Sequence, residues 1–342
     1  MQKPEGSNQM KIGILGAGTW GCALALLLAN NKHDVTLWSA IEAEIDELAS
    51  TGCPRNLDVK LPENINYTKN IADACKGELV IFVVPSAFIR PTAERAAEHF
   101  ENGTLIACAS KGIEQDTLFT MTEIIEDVLK NRNTDLEYEL VALSGPTHAE
   151  EVAHGLPTSI VAASENEATA LRIAEVFSST CLRAYANTDV KGVELCGALK
   201  NIIAIAAGVN RGMGFGDNST AMLITRGMAE ITRMGLAMGC RRRTFMGLAG
   251  IGDLIVTATS RHSRNNRCGE LIGSGYTYEE AREKIGMVVE GYYALEAAIA
   301  LSEKYNVEMP ITRAVYDCVK LGKNPRQAMI ELMTRELKLE NE

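Results

Sequence analysis

Along the first half of the chain, short apolar runs alternate with longer segments whose apolar positions recur at helical spacing. The runs predict strands over 11–15, 34–38, 79–84 and 105–109, then through Val141-Ala142-Leu143, and over 159–163. Between them, helices are predicted over 20–30, over 41–49 (Ile41, Ile45 and Leu48 share a face), from near Pro91, and over 117–130. Residues 51–64, with Gly52, Pro54 and Pro62, read as a loop. Strands alternating with helices in this way predict a parallel-rich sheet with helices on its faces.

From about residue 190 the pattern changes. Val193, Leu195, Leu199, Ile202, Ile203 and Ile205 predict a buried helix over 190–208, interrupted by the glycine-rich residues 208–216. Further helices are expected over 218–238 (capped by Asn218 or Ser219), 277–286 (opened by a Thr277…Glu280 capping box), 290–305, 311–320 and 325–338. The expected organisation is a flexible tail over 1–9, an α/β domain over 10–190 and an all-α domain over 191–342, with the active site in the cleft between the domains.

Composition narrows the function. A chain of 342 residues can hold two cores, and 46% apolar with 23% charged residues is ordinary for a globular protein. A net charge of −10 argues against a general nucleic-acid binder and against attachment to an acidic membrane surface. No run approaches 18 continuous apolar residues, so no integral membrane association is expected. Nine cysteines without CxxC pairing read as reduced and mostly buried thiols, with a cytoplasmic location. The five histidines lack ligand spacing, and no metal is expected.

The candidate chemistry begins at Gly16-Ala17-Gly18-Thr19-Trp20-Gly21, between the first strand and the first helix. Strand, glycine turn and helix N-terminus form the Rossmann-like arrangement that takes a dinucleotide pyrophosphate. Trp38-Ser39-Ala40, at the end of the second strand, offers neither a carboxylate nor an arginine, and Glu42 follows slightly later. NAD and NADP both stay open. Pro85-Ser86, Lys111 and Gly145–His148 fall after other strand ends, where open α/β sheets bind ligands.

Three charged features stand out in the second half. Lys200 interrupts a buried helical run, and reads either as a side chain reaching from a partly buried face to water or as a proton-transfer residue. Asp253, after Gly247-Leu-Ala-Gly-Ile-Gly252, reads either as a helix cap or as the partner that orients Lys200. Thr259–Arg267 reads either as an exposed salt-bridged loop or as a phosphate clamp of Arg, Ser and Asn. Arg241-Arg242-Arg243 is expected on the surface, and Cys196 in the core.

Taken in order, these motifs resemble the soluble, bacterial-type NAD(P)-dependent glycerol-3-phosphate dehydrogenases over about residues 10–335. Ser110-Lys111-Gly112, Ser144-Gly-Pro-Thr-His-Ala-Glu-Glu151, Glu194-Leu-Cys-Gly-Ala-Leu-Lys-Asn201, Gly247–Leu254 and Ser263-Arg264-Asn265 carry the resemblance. It implies reversible reduction of dihydroxyacetone phosphate to sn-glycerol 3-phosphate by NADH or NADPH, supplying phospholipid synthesis. It implies that Lys200 exchanges the proton and that Lys111, Gly145, Thr147, Asp253, Ser263, Arg264 and Asn265 surround the substrate. Gly16, Gly18, Thr19, Trp20, Gly21, Lys111, Ala149, Arg264, Val288 and Glu290 match cofactor positions, while Asn201 and Thr257 support catalysis. A cytoplasmic homodimer acting on a small phosphorylated substrate is implied. Asn266 and Ser39-Ala40 depart from the family, which often carries basic residues there. The alternatives are a two-domain dehydrogenase of 3-hydroxyacids or sugar acids, and a redox-sensing dinucleotide-binding protein.

Overall fold

The computed structural model describes residues 9–132, 135–337 and 339–340. The tail expected over 1–9 lies outside the described residues except for Gln9, which is exposed. The chain divides into two compact units, one formed by residues up to 111 with 119–194, the other by 112–118 with the residues from 195 onward.

The first unit is built on one eight-stranded sheet in the order β3-β2-β1-β4-β5-β6-β7-β8. Its strands are β1 (Lys11–Leu15), β2 (Asp34–Trp38), β3 (Ile65–Thr68), β4 (Leu79–Phe82), β5 (Thr104–Cys108), β6 (Tyr138–Ser144), β7 (Thr158–Ala163) and β8 (Leu182–Asn187). All neighbours run parallel except β6 and β7. Chain order reverses at β1, where Ile14 lies opposite Leu37 on one side and Ile81 on the other. Ligands bind beyond the strand ends at such a switch point. Alternate residues feed two cores. Ile12, Ile14, Leu37 and Ile81 pack on one face with the helix Thr19–Asn30, while Leu15, Trp38, Val80 and Phe82 pack on the other with Ile89, Ala93 and Ile125. Burial on both faces is why these strands read as continuous apolar runs.

Two strands have no counterpart in the hydrophobic pattern. They are the edge strands β3 and β8, and most of their residues are not buried. The helices Ile71–Cys75 and Glu167–Phe177 are likewise additional to the expected elements, and each is capped by an asparagine side chain.

The second unit is helical. Its central element is the helix Val190–Gly212 from Leu195 onward, the residues up to Glu194 belonging to the first unit; the helix runs 23 residues and continues through Gly208 instead of stopping there. The glycines serve close helix packing. A Cβ at Gly208 would stand 2.0 Å from the Asn266 carbonyl oxygen, and one at Gly269 would stand 2.1 Å from that of Ile205. The helices Val190–Gly212 and Arg264–Gly273 therefore cross with their backbones nearly touching. By length and hydropathy Val190–Gly212 is the one helix among the described residues able to cross a membrane, but its apolar window is wholly buried in the protein.

Asp217–Ala237 starts on Gly216 with no side-chain cap, so neither Asn218 nor Ser219 caps it; the Ser219 hydroxyl donates to the Gly216 carbonyl instead. The capping box of Thr277 and Glu280 is present. Pro310 and Pro325 open their helices, the second of which ends at Met333, short of the expected 338.

Candidate active site

The turn after β1 is shaped by its glycines. Gly16 adopts φ +129°, a conformation costly for a side chain, and its N–H donates to the Trp38 carbonyl at 2.8 Å. A Cβ at Gly21 would lie 1.8 Å from the Gly16 carbonyl oxygen. Gly18 caps the helix Thr19–Asn30 without a side-chain bond, and a Cβ built there meets nothing within 4 Å. The turn thus leaves open space in front of the first, internally unpaired N–H groups of a helix. That is a cradle suited to a dinucleotide pyrophosphate. Trp20 is half-buried against the core on this face.

Three expected residues meet elsewhere in the first unit. Lys111, after β5, donates to the Gly145 carbonyl at 3.3 Å, and Thr147 donates to the same oxygen at 3.2 Å. Gly145 makes the turn after β6 with φ +148°. The Ser110 hydroxyl donates to Val84 at 2.5 Å, joining the ends of β4 and β5. Ala149 begins the short helix Ala149–Ala153.

The second unit buries an ion pair. Lys200 is 5% exposed and Asp253 1% exposed, and the Lys200 Nζ lies 2.5 Å from Asp253 Oδ1. Nζ also donates to Thr257 Oγ1 at 2.6 Å, and that hydroxyl donates to the Asp253 carbonyl at 2.6 Å. Asp253 and Thr257 lie four residues apart on the helix Asp253–Thr259, so they share a face. The glycines before this helix allow a tight irregular turn. Gly250 has non-helical angles, and a Cβ there would lie 2.1 Å from the Phe245 carbonyl oxygen. A buried ion pair is tolerated where hydrogen bonds complete it. Lys200 is therefore held by fixed partners and does not run along a surface.

Asn201 and Asn265 link the helix of Lys200, Val190–Gly212, to two others. Asn265 Nδ2 donates to Asn201 Oδ1 at 3.0 Å, and Asn265 Oδ1 accepts from the Gly291 N–H at 2.9 Å. Gly291 lies in the helix Glu290–Lys304, which starts just after Val288. Ser263 caps Arg264–Gly273 by accepting from the Asn266 N–H at 3.2 Å. Arg264, the first residue of that helix, is half-buried and has no hydrogen-bond or ion-pair partner among the described residues. An unpaired guanidinium beside a helix N-terminus suits an oxyanion. Arg261 and Arg267 are exposed, as are Arg241, Arg242 and Arg243.

Two features escape the sequence pattern. Asn266 is fully buried, donates to the Ala258 carbonyl at 2.6 Å and accepts from Arg211 Nη1 at 2.8 Å. A separation of 55 residues gives no local signal for that pairing. Glu44 accepts a hydrogen bond from Ser39 Oγ at 2.6 Å, placing a carboxylate against the end of β2. A search through the first turn of the helix after the strand would have found it. Among the described residues, no group of three or more His, Cys, Asp or Glu is arranged to hold a metal ion.

Residues 11–170 match the family model for the N-terminus of NAD-dependent glycerol-3-phosphate dehydrogenase, and residues 189–330 match the model for its C-terminus. Glycerol-3-phosphate dehydrogenase (NAD(P)+) 2 of Lactobacillus delbrueckii subsp. bulgaricus is 52% identical, the match covering 96% of this chain and 98% of the relative. Glycerol-3-phosphate dehydrogenase (NAD(P)+) of Agathobacter rectalis is 44% identical, covering 97% and 98%. The crystal structure of glycerol-3-phosphate dehydrogenase from Coxiella burnetii superposes with a TM-score of 0.90 at 36% identity, covering 96% of this chain and 99% of the other. A ketopantoate reductase from Ralstonia eutropha, 17% identical with a TM-score of 0.61, shares the fold alone.

Proposed function

Since the chain belongs to the NAD-dependent glycerol-3-phosphate dehydrogenase family and interconverts dihydroxyacetone phosphate and glycerol 3-phosphate with NAD(P)H, we propose that Lys200 exchanges the proton and that Arg264 holds the phosphate. The observation that carries this reading is the buried Lys200–Asp253–Thr257 cluster, which fixes one ammonium in an apolar unit. The bound nicotinamide supplies the hydride in reduction and accepts it in oxidation.

In reduction, the Lys200 ammonium gives a proton to the ketone oxygen as the carbonyl carbon gains the hydride. One ketone, one hydride and one proton make one alcohol, and the lysine is left as a neutral amine. In oxidation that amine takes the hydroxyl proton back. Asp253 orients the ammonium and balances its charge, and Thr257 fixes its direction. Such positioned proton transfer contributes about 10²–10⁴ in rate. Asn201, bonded to Asn265, ties the lysine's helix to the phosphate-binding helix start.

Arg264 offers a fork for two phosphate oxygens, backed by the first N–H groups of its helix. Ser263 and Asn265 flank it. Lys111 and Thr147, both on the Gly145 carbonyl, are assigned to the rest of the substrate. Gly16, Gly18, Thr19, Trp20 and Gly21 are assigned to the cofactor pyrophosphate, and Lys111, Ala149, Arg264, Val288 and Glu290 to the remainder of the cofactor. Residues 10–190 then form the dinucleotide-binding domain and 191–342 the substrate-binding and catalytic domain. The proposed role is a cytoplasmic homodimer that supplies sn-glycerol 3-phosphate to phospholipid synthesis.

The test is NAD(P)H oxidation with dihydroxyacetone phosphate beside unphosphorylated dihydroxyacetone. The phosphorylated ketone is expected to react with kcat/KM higher by about 10³-fold or more, as a charged clamp left unpaired rejects the neutral analogue. Equal turnover of both would sink the Arg264 assignment.

A further inference from the structure

In a doubly wound dinucleotide fold the adenosine ribose sits beyond the end of the second strand. A carboxylate there accepts the 2′-hydroxyl of NAD, whereas a cation there accommodates the 2′-phosphate of NADP. In this chain β2 ends at Trp38, and Ser39 opens the turn into the helix Glu42–Thr51. The buried Ser39 hydroxyl donates to Glu44 Oε2 at 2.6 Å and accepts from the Ile41 N–H at 3.1 Å. Ser39 and Glu44 therefore form one fixed unit at the strand end.

Glu44 also acts electrostatically on the helix that follows the glycine turn, Thr19–Asn30. Its carboxylate acts on Cys22, in the first turn of Thr19–Asn30, whose thiol is pushed up to about 12, mainly by burial and then by Glu44. The carboxylate is thus fixed at the strand end and lies within electrostatic reach of the helix Thr19–Asn30.

The charges around this point are one-sided. Glu42 and Asp46 stand on the same helix as Glu44. The lysine after β3, Lys69, is already engaged, with Nζ 2.7 Å from Asp46 and 3.7 Å from Glu42. Arg55, beyond the far end of the helix Glu42–Thr51, is paired with Glu47, and Arg95 lies over the Trp38 ring at 5.1 Å. That ring packs with Ile89 and Ala93 in the core of the opposite face of the sheet, away from the core that holds Cys22 and Leu48.

We propose that Ser39 and Glu44 make the cofactor site selective for NADH over NADPH. This rests on the dehydrogenase reading above. The Glu44 carboxylate accepts the ribose 2′-hydroxyl, with Ser39 holding it in place. A 2′-phosphate brings about two further negative charges at neutral pH against Glu42, Glu44 and Asp46. The geometry distinguishes Glu44 from its two neighbours, because neither of those is bonded to the strand end.

The experiment measures binding as well as turnover. The protein is titrated with NADH and with NADPH, and separately with 5′-AMP and with adenosine 2′,5′-bisphosphate, which probe the ribose subsite alone. NADH is expected to bind about a hundredfold more tightly than NADPH, with the same order for the two fragments. Glu44→Gln keeps the side-chain shape, and is expected to narrow that ratio about tenfold while the melting midpoint stays put. Equal affinity of the wild type for both dinucleotides, or an unchanged ratio in Glu44→Gln, overturns the proposal. Binding of neither dinucleotide overturns the dehydrogenase reading along with it. Selective NADH binding without turnover of dihydroxyacetone phosphate overturns the substrate assignment and upholds this proposal.

Discussion

The glycine turn at Gly16–Gly21 and the serine-capped start at Ser263–Asn265 both present a helix N-terminus, but they are made of different material. The first is backbone. Its geometry comes from a positive φ at Gly16 and from a close backbone approach at Gly21, with open space left at Gly18. The second is side chain, with an unpaired guanidinium at Arg264 and, linked through Asn265 and Asn201, a lysine buried with an aspartate. A backbone cradle fails when an atom is added. A side-chain site fails when a charge is removed. The glycine turn is therefore most sensitive to an added side chain, and the helix start at Arg264 to a lost charge.

The strongest test of that contrast pairs Lys200→Ala with Gly21→Val. Lys200→Ala is expected to lower kcat by about 10³-fold while dinucleotide affinity, measured by calorimetric titration, stays near wild type. Gly21→Val adds its first carbon 1.8 Å from the Gly16 carbonyl oxygen, so the turn must open and dinucleotide affinity must collapse. Loss of dinucleotide binding in Lys200→Ala, matching its loss of kcat, would break the division of labour. A smaller effect is expected from Arg264→Ala. Steady-state kinetics should show KM for dihydroxyacetone phosphate rising about a hundredfold, and Arg264→Lys should recover only part of it because a point charge replaces a fork.

The same contrast explains what could be read from the sequence. The interior strands β1, β2, β4 and β5 were legible because burial on both faces leaves continuous apolar runs. β3 and β8 were not, because edge strands have little buried surface to pattern. The glycine turn was legible because its requirement is local. Lys200, Asp253 and Arg264 stood out as charges in apolar or glycine-rich surroundings, but their mutual geometry depends on close helix crossings that no local spacing encodes. The glycines at 208 and 212 illustrate the difficulty. They look like a helix break, yet they serve a backbone contact with the helix Arg264–Gly273. Asn266 is similar: its buried amide is satisfied by Arg211 and the Ala258 carbonyl, partners that no local pattern announces.

One device is common to both units, and it gives the smallest predicted effect. Each buries a glutamate against the start of another helix. Glu194 accepts from the Thr122 N–H and hydroxyl, and Glu230 accepts from the N–H groups of Ile311 and Thr312. Burial is the largest influence on both and raises each from 4.5 to about 7, against the lowering effect of these hydrogen bonds. The folded protein therefore holds two protons that the unfolded chain releases near 4.5. Stability from these groups is complete below that value and is lost as pH rises through about 7. The melting midpoint should fall by several degrees between pH 5 and pH 8. Glu230→Gln removes the ionisation in the second unit only, so it should flatten that unit's share of the slope and leave the share from Glu194. A variant with the full wild-type slope would show that the hydrogen bonds from Ile311 and Thr312 already keep Glu230 ionised, and that the two units differ in this respect too.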